Sequence, residues 1–447
     1  MNKKKFYLAL VIFSFVGQVA WVVENMYFNV FIYKMFNASA AQISLMVAAS
    51  AVAATLTTIF IGALSDKLQK RKIFMCAGYI AWGVSILAFA LIRLDVISAV
   101  PGVTAGAASL AITLVIVMDC VMTFFGSSAN DAAYNAWLTD ITDPTNRGRA
   151  EGINSMMPLL AVIAVFGGFM GFDLGLASSW TWIYVIIGGL VLVIGVLGFF
   201  IVEDAPAKKP DDIGYFATIF YGFRPSVIKK NAGLYFTLAF FVIFGISIQV
   251  FMPYLIIYYE QTLGMSDYVI IMAPAILAAA VVTALYGKFI DSAGFRVTVW
   301  PSLGMLAAGY VLLYLFPGVV NVTGVAMKVP VFIGSCLMMS GYLSGMAVFG
   351  TAIRNGTPEH MAGRFQGLRI IAQVLIPGVV GPAIGAWVLR NADKVVNSDG
   401  TESFIPGKVI YLTAFIVIAV LAAGLAVYFG LTRGKNDKQD ILEQKEP

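Results

Sequence analysis

One short pattern occurs twice in this chain. The first copy is Gly62-Ala-Leu-Ser-Asp66-Lys67-Leu-Gln-Lys70-Arg71-Lys72 and the second is Gly287-Lys288-Phe-Ile-Asp291-Ser-Ala-Gly294-Phe-Arg296, each directly after an apolar run of helix length. The two aspartates are 225 positions apart in a chain of 447, so each falls at the corresponding point of one half. Glycine lets two helices approach, Asp can cap a helix N-terminus, and the cations hold the loop at an anionic membrane surface. A doubled interhelical loop at half-chain spacing implies two copies of one helical unit.

Composition says what surrounds those helices. Hydrophobic residues make up 60% of the chain and charged residues 12%, against roughly 45–50% and about 25% in soluble proteins. About 20 apolar residues span a bilayer, and twelve such runs are legible, at 6–33, 41–64, 73–93, 107–138, 151–172, 180–202, 231–259, 267–290, 297–316, 329–353, 364–389 and 408–431. Read with the doubled motif, this pattern resembles the major facilitator superfamily, in which the motif joins the second and third helices of each half. The resemblance implies an all-α membrane protein of two six-helix bundles, a solute transporter working by alternating access, with gating loops carrying Gly62, Asp66, Arg71, Gly287, Asp291 and Arg296.

Lys and Arg positions set the expected orientation. With the N-terminus cytoplasmic, 22 of the 29 cations fall in cytoplasmic segments, six face outward, and Arg369 lies inside a span. An even number of spans then puts both termini inside, at the cell membrane. The start, Met1 to Phe6, is too basic and the run after it too long for a cleaved signal peptide, so the first span is expected to be retained. The net charge of +5 reflects this topology; the cations form no basic domain, and nucleic acid is not an expected partner. A lipid bilayer and a small polar solute are, and the chain is expected to act as a monomer.

Cys76, Cys120 and Cys336 fall in three different spans, so no disulfide framework is expected and each reads as packing. The only histidine, His360, lies between spans 10 and 11, which argues against histidine metal sites and imidazole catalysis. No metal, cofactor or enzymatic activity is expected: there is no phosphate-binding loop, and Gly167-Gly168-x-x-Gly171 reads as packing within span 5. Gly341-x-x-x-Gly345 and Gly381-x-x-x-Gly385 read as close helix contacts, and Pro158, Pro253, Pro274, Pro377 and Pro382 as bends.

The expected domains are a bundle at 1–202, a linker at 203–230, a second bundle at 231–431 and a charged tail at 432–447. The linker opens Glu203-Asp-Ala-Pro206-Ala-Lys-Lys-Pro210. Phe216, Ile219, Phe220 and Phe223 then follow at helical spacing, which fits either an amphipathic helix on the inner membrane face or an ordered linker.

Ionisable groups inside a span cost about 2.5–3.5 kcal/mol even on insertion scales, which singles out Glu24, Asp119, Asp131 and Arg369. Counted from the span ends, Glu24 and Asp119 both lie near mid-membrane. Trp21 and Phe28 flank Glu24, giving an acid between rings that suits a sugar or an organic cation, or an acid bonded to a neighbouring helix. Asn25 adjoins it. Asn130, eleven residues after Asp119, returns almost to the same helical face.

The stretch from Asn130-Asp131-Ala-Ala-Tyr134-Asn135-Ala-Trp137 to Asp140, Pro144, Arg147 and Arg149 is similar to the end of span 4 in the glycoside–pentoside–hexuronide cation symporters and, more loosely, the sucrose–proton symporters. In the former an Asp at the position of Asp131 helps bind the coupling cation. Sodium-coupled members also carry two carboxylates in span 2, where this chain has Thr58 and Ala54. A proton needs one carboxylate, so Asp131, Asp119 or Glu24 is expected to carry a proton, in preference to a sodium site.

Gln366, Arg369 and Gln373 form a polar stripe on span 11, as a bond holding the halves together or as a coupling and substrate site. Gln249, Tyr254 and Tyr258 lie on span 7. The expected function is proton-coupled symport of a sugar or glycoside, with Trp21, Glu24, Asn25, Asn130, Tyr134, Asn135, Gln249, Tyr254, Arg369 and Gln373 as substrate contacts. The alternatives are export of amphipathic compounds, lysolipid transport, or a membrane sensor that binds without moving its ligand.

Overall fold

The computed structural model describes residues 3–68, 70–100, 106–142, 146–204, 220–316, 325–357, 362–397 and 400–443; at some of these, among them Asp66, Arg147 and Gln366, only the backbone is described. His360, the linker residues 205–219 and the side chains of Asp66 and Gln366 lie outside the described residues.

Among the described residues eleven helices are long and apolar enough to cross a membrane. They are α1 (Lys3–Phe36), α2 (Ala40–Leu68), α3 (Arg71–Phe89), α4 (Ala107–Ile141), α5 (Arg147–Phe169), α6 (Ala177–Ile201), α7 (Ala232–Thr262), a 48-residue helix Tyr268–Leu315, α10 (Val325–Gly356), α11 (residues 362–388) and α12 (Val409–Glu443). At 1.5 Å per residue the 48-residue helix would be about 72 Å long, more than twice the hydrocarbon thickness. Gly294 resolves this: at φ 69°, ψ 176° it breaks the helix into α8 (268–293) and α9 (295–315). That backbone region is essentially closed to residues with a Cβ. The described residues therefore hold twelve spans, the eighth and ninth meeting at the second copy of the doubled motif. The last helix continues to Glu443, beyond the expected span end at 431.

Local chemistry sets the boundaries. Asn37, in the left-handed region at φ 53°, ends α1. Ser39 then opens α2 in a reciprocal cap, its hydroxyl accepting from the Gln42 amide at 3.3 Å while Gln42 Oε1 accepts from the Ser39 amide at 2.8 Å. Pro253 occupies a 3₁₀ turn, Met252–Tyr254, inside α7. In the linker, Pro225–Lys230 is helical and Tyr235 in α7 donates to the Gly222 carbonyl.

Small residues bring helices together where the sequence marks them. A Cβ on Gly341 would collide with the Leu306 backbone of α9, and one on Gly381 would lie 2.9 Å from the Gln249 carbonyl carbon of α7. Other glycines behave differently. A Cβ at Gly167, Gly168 or Gly171 would meet nothing within 4 Å, so the packing role expected there is absent. Gly287 is equally open, and Gly62 faces Ala132 at 3.8 Å. In this arrangement the motif glycines do not mediate close contact; the motif arginines bind instead. Arg71 pairs with Asp140 at the end of α4 (3.1 Å) and donates to Ser65 (2.6 Å). Arg296 donates to the Phe429 carbonyl of α12 at 2.9 Å and stacks over that ring.

The two halves of the chain meet firmly at one end. Tyr33 donates to the Phe404 carbonyl (2.6 Å), Lys34 pairs with Glu260 (2.6 Å), Tyr254 donates to the Ala40 carbonyl (3.0 Å), and the Tyr268 hydroxyl bonds that of Tyr27 (3.3 Å). Toward the middle, α2 packs on α11, with Ala51 against Gly378 and Ile59 near Gly367.

Candidate functional site

Among the described residues four spans widen from α-helix to π-helix at one stretch each: Val23–Tyr27 in α1, Ser127–Tyr134 in α4, Tyr258–Thr262 in α7 and Ile371–Leu375 in α11. A π-turn inserts a residue and leaves backbone groups poorly paired, and such turns concentrate at functional sites. These four contain Glu24, Asn25, Asn130, Asp131, Glu260 and Gln373. In α11 the cause is visible: Pro377 lacks an N–H for the carbonyl of Gln373, four residues back, and its ring crowds that carbonyl.

Glu24 points into its own half. Its Oε1 accepts from Ser50 of α2 at 2.8 Å and from Thr123 of α4 at 2.7 Å, and these two hydroxyls lie 2.8 Å apart. Asp119, one turn before Thr123 on α4, is 2% exposed. Glu24 Oε2 and Asp119 Oδ1 are buried without a protein partner. Three helices thus converge on two carboxyl groups and two hydroxyls.

The rings beside Glu24 pack inward as well. Phe28 is buried against Phe89 and Tyr184, and Trp21 lies against Trp82 with its Nε1 donating to Asn130 Oδ1 at 3.2 Å. Asn130 in turn donates to Tyr79 at 2.7 Å. Tyr134 donates to Asn154 at 2.9 Å, and Tyr254 sits in the closed end, its hydroxyl on Ala40. The structure therefore places Glu24, Asn130, Tyr134 and Tyr254 within protein packing, each bonded to a neighbouring residue, with Glu24 bonded through one oxygen only. Tyr258 likewise donates to the Leu313 carbonyl at 3.3 Å.

A different set stands open. Asn25, Asn135 and Arg369 are exposed at mid-helix positions of α1, α4 and α11, while Asp131, Gln249 and Gln373 are partly exposed on α4, α7 and α11. Asp131 accepts from Ser127 at 2.9 Å, one turn earlier on its own helix. The π-turn of α1 packs on the 3₁₀ turn of α7, and that of α11 packs on α2 and α7, so Asn25 and Gln373 lie on segments where the halves meet, while the Ser127–Tyr134 stretch that carries Asp131 packs on helices of its own half. The residues that sequence reasoning missed are Ser50 and Thr123. Hydroxyls mid-span are common, and nothing in their spacing marks these two; their signal is position, level with a membrane carboxylate on another helix.

No curated protein matches this chain in sequence. Solved structures resemble it closely in shape. A mutant form of the nucleoside transporter NupG superposes with a TM-score of 0.71 at 13% identity, over 94% of this chain and 99% of that one. A bacterial homolog of the human lysosomal transporter Spinster, in an inward-facing and unoccupied conformation, gives 0.66 at 14% identity, over 97% and 98%. The family model described as Major Facilitator Superfamily matches residues 7–382. The doubled loop, the twelve spans and this match together place the chain in the Major Facilitator Superfamily.

Proposed function

We propose that this transporter takes up a small polar solute, a sugar or glycoside, together with a proton. The observation that carries the reading is the segregation of polar groups. Amides and one guanidinium (Asn25, Asn135, Gln249, Arg369, Gln373) are exposed or partly exposed on their spans, while two carboxyls are buried in the first half. Neutral amides with one cation suit a ligand rich in hydroxyls. The two buried carboxyls, Glu24 on α1 and Asp119 on α4 in the same half, suit a bound positive charge. A proton needs a single carboxyl, and span 2 has Thr58 and Ala54 where sodium-coupled symporters carry carboxylates, which favours a proton.

The closed end, carrying residues 33–40 and 394–406, is the outer end when the N-terminus is cytoplasmic, and the protein then faces inward. Access of a label to residues 394–404 in intact cells checks this orientation.

Uptake of a panel of sugars, glycosides and nucleosides into vesicles tests the function, with a pH or a sodium gradient imposed separately. Accumulation of a sugar or glycoside driven by inward protons is expected. Sodium stimulation without a pH effect overturns proton coupling, nucleoside accumulation overturns the solute class, and binding without accumulation indicates a sensor.

A further inference from the structure

We propose that Asn37 and the hairpin of β1 (Lys394–Val396) and β2 (Glu402–Phe404) form a polar latch whose release opens the closed end. The hairpin lies between α11 and α12 and is tied to its own half. Thr262 at the end of α7 donates to the Pro406 carbonyl (2.6 Å), and the Ile405 amide donates to the Asp393 carbonyl (2.7 Å). It therefore moves with the second half. Asn37 belongs to the first half, and its left-handed φ of 53° turns its side chain out past the end of α1.

That one amide is the hub of the contact. Oδ1 accepts from Asn397 Nδ2 at 3.0 Å and from Ser403 Oγ at 2.9 Å, while Nδ2 donates to Thr401 Oγ1 at 2.8 Å. One turn back, Tyr33 donates to the Phe404 carbonyl and sets its ring edge-on to the Phe404 ring at 5.2 Å. Beside it the Lys34–Glu260 pair joins α1 to α7, the side chains 20% and 11% exposed. These are bonds that water can replace at small net cost, unlike the apolar packing that holds each half together. A contact of this chemistry between two halves can be made and unmade repeatedly, and its strength sets how much of the time that end stays shut.

The test uses full-length protein in intact cells, with Cys76, Cys120 and Cys336 replaced by Ser and a reporter Asn25→Cys on the α1 segment where the halves meet. A membrane-impermeant maleimide added on the hairpin side labels the reporter only when that end opens. Asn37→Gly keeps the left-handed turn and removes the hub. It is expected to raise the labelling rate on the order of tenfold, and Ser403→Ala together with Thr401→Val in place of Asn37→Gly is expected to raise it in the same direction. In a second chain, Asn37→Cys with Ser403→Cys is expected to abolish labelling of the reporter once oxidised, and to regain it on reduction. Unchanged labelling in Asn37→Gly, or undiminished labelling in the oxidised pair, overturns the latch. The readout needs no cargo, so a wrong solute or coupling ion does not affect it.

Discussion

Glu24 shows what a membrane carboxyl needs in order to be tolerated: two hydroxyls from two other helices donating to one of its oxygens. The side chain thereby stitches α1, α2 and α4 together while remaining able to hold a charge. Glu24→Gln preserves shape and most of the hydrogen bonding, whereas Glu24→Ala leaves Ser50 and Thr123 facing a void. We expect Gln to unfold within about a degree of the parent in detergent while losing proton-driven accumulation. Ala is expected to lose about 1–3 kcal/mol as well, the usual cost of buried donors left without their acceptor. A thermal melt beside an uptake assay separates the two effects, and a Gln variant that still accumulates solute removes Glu24 from coupling.

At the scale of elements, the doubled loop divides its work differently in the two halves. The first copy ends one helix at Leu68 and begins another at Arg71; the second passes from α8 to α9 through the single non-helical residue Gly294. Gly294→Ala forces a Cβ into a closed backbone region and is expected to cost about 1–3 kcal/mol, seen as a lower melting temperature by fluorescence-detected size exclusion. Gly287→Ala, with nothing within 4 Å of the added methyl, is expected to melt like the parent; equal losses in both would contradict this assignment. Spans were legible because twenty apolar residues leave a mark that no neighbour can erase. Which face each polar residue presents was less so. Counting 3.6 residues per turn placed Glu24 between rings on a substrate-facing surface, but its helix is π-helical at that point, and Phe28 and Trp21 turn into the bundle. Asn37 carried a signal, an Asn just past an apolar run as at a left-handed helix end, but the hairpin it grips is a polar loop with no period to read. Arg71 was legible as part of the motif, its partner Asp140 was not, because that pairing joins two loops 69 residues apart.

For the molecule as a whole, the proposed proton coupling has to pass between the halves, and its candidate groups are Asp131, partly exposed on α4, and Arg369, exposed on α11. Asp131→Asn and Arg369→Gln are each expected to abolish concentrative uptake while leaving solute exchange measurable. If both variants accumulate solute as the parent does, coupling passes to Glu24 and Asp119. How such a signal crosses the molecule is bounded by the four π-turns, one in each of α1, α4, α7 and α11. A helix that gives up its surplus residue there rewinds like a screw, turning everything beyond by about 100° and advancing it about 1.5 Å. A thread with slack already cut into it can show the middle of the membrane a second set of side chains without breaking a helix, and four threads cut at related places give the two halves a shared stock of such turns to exchange.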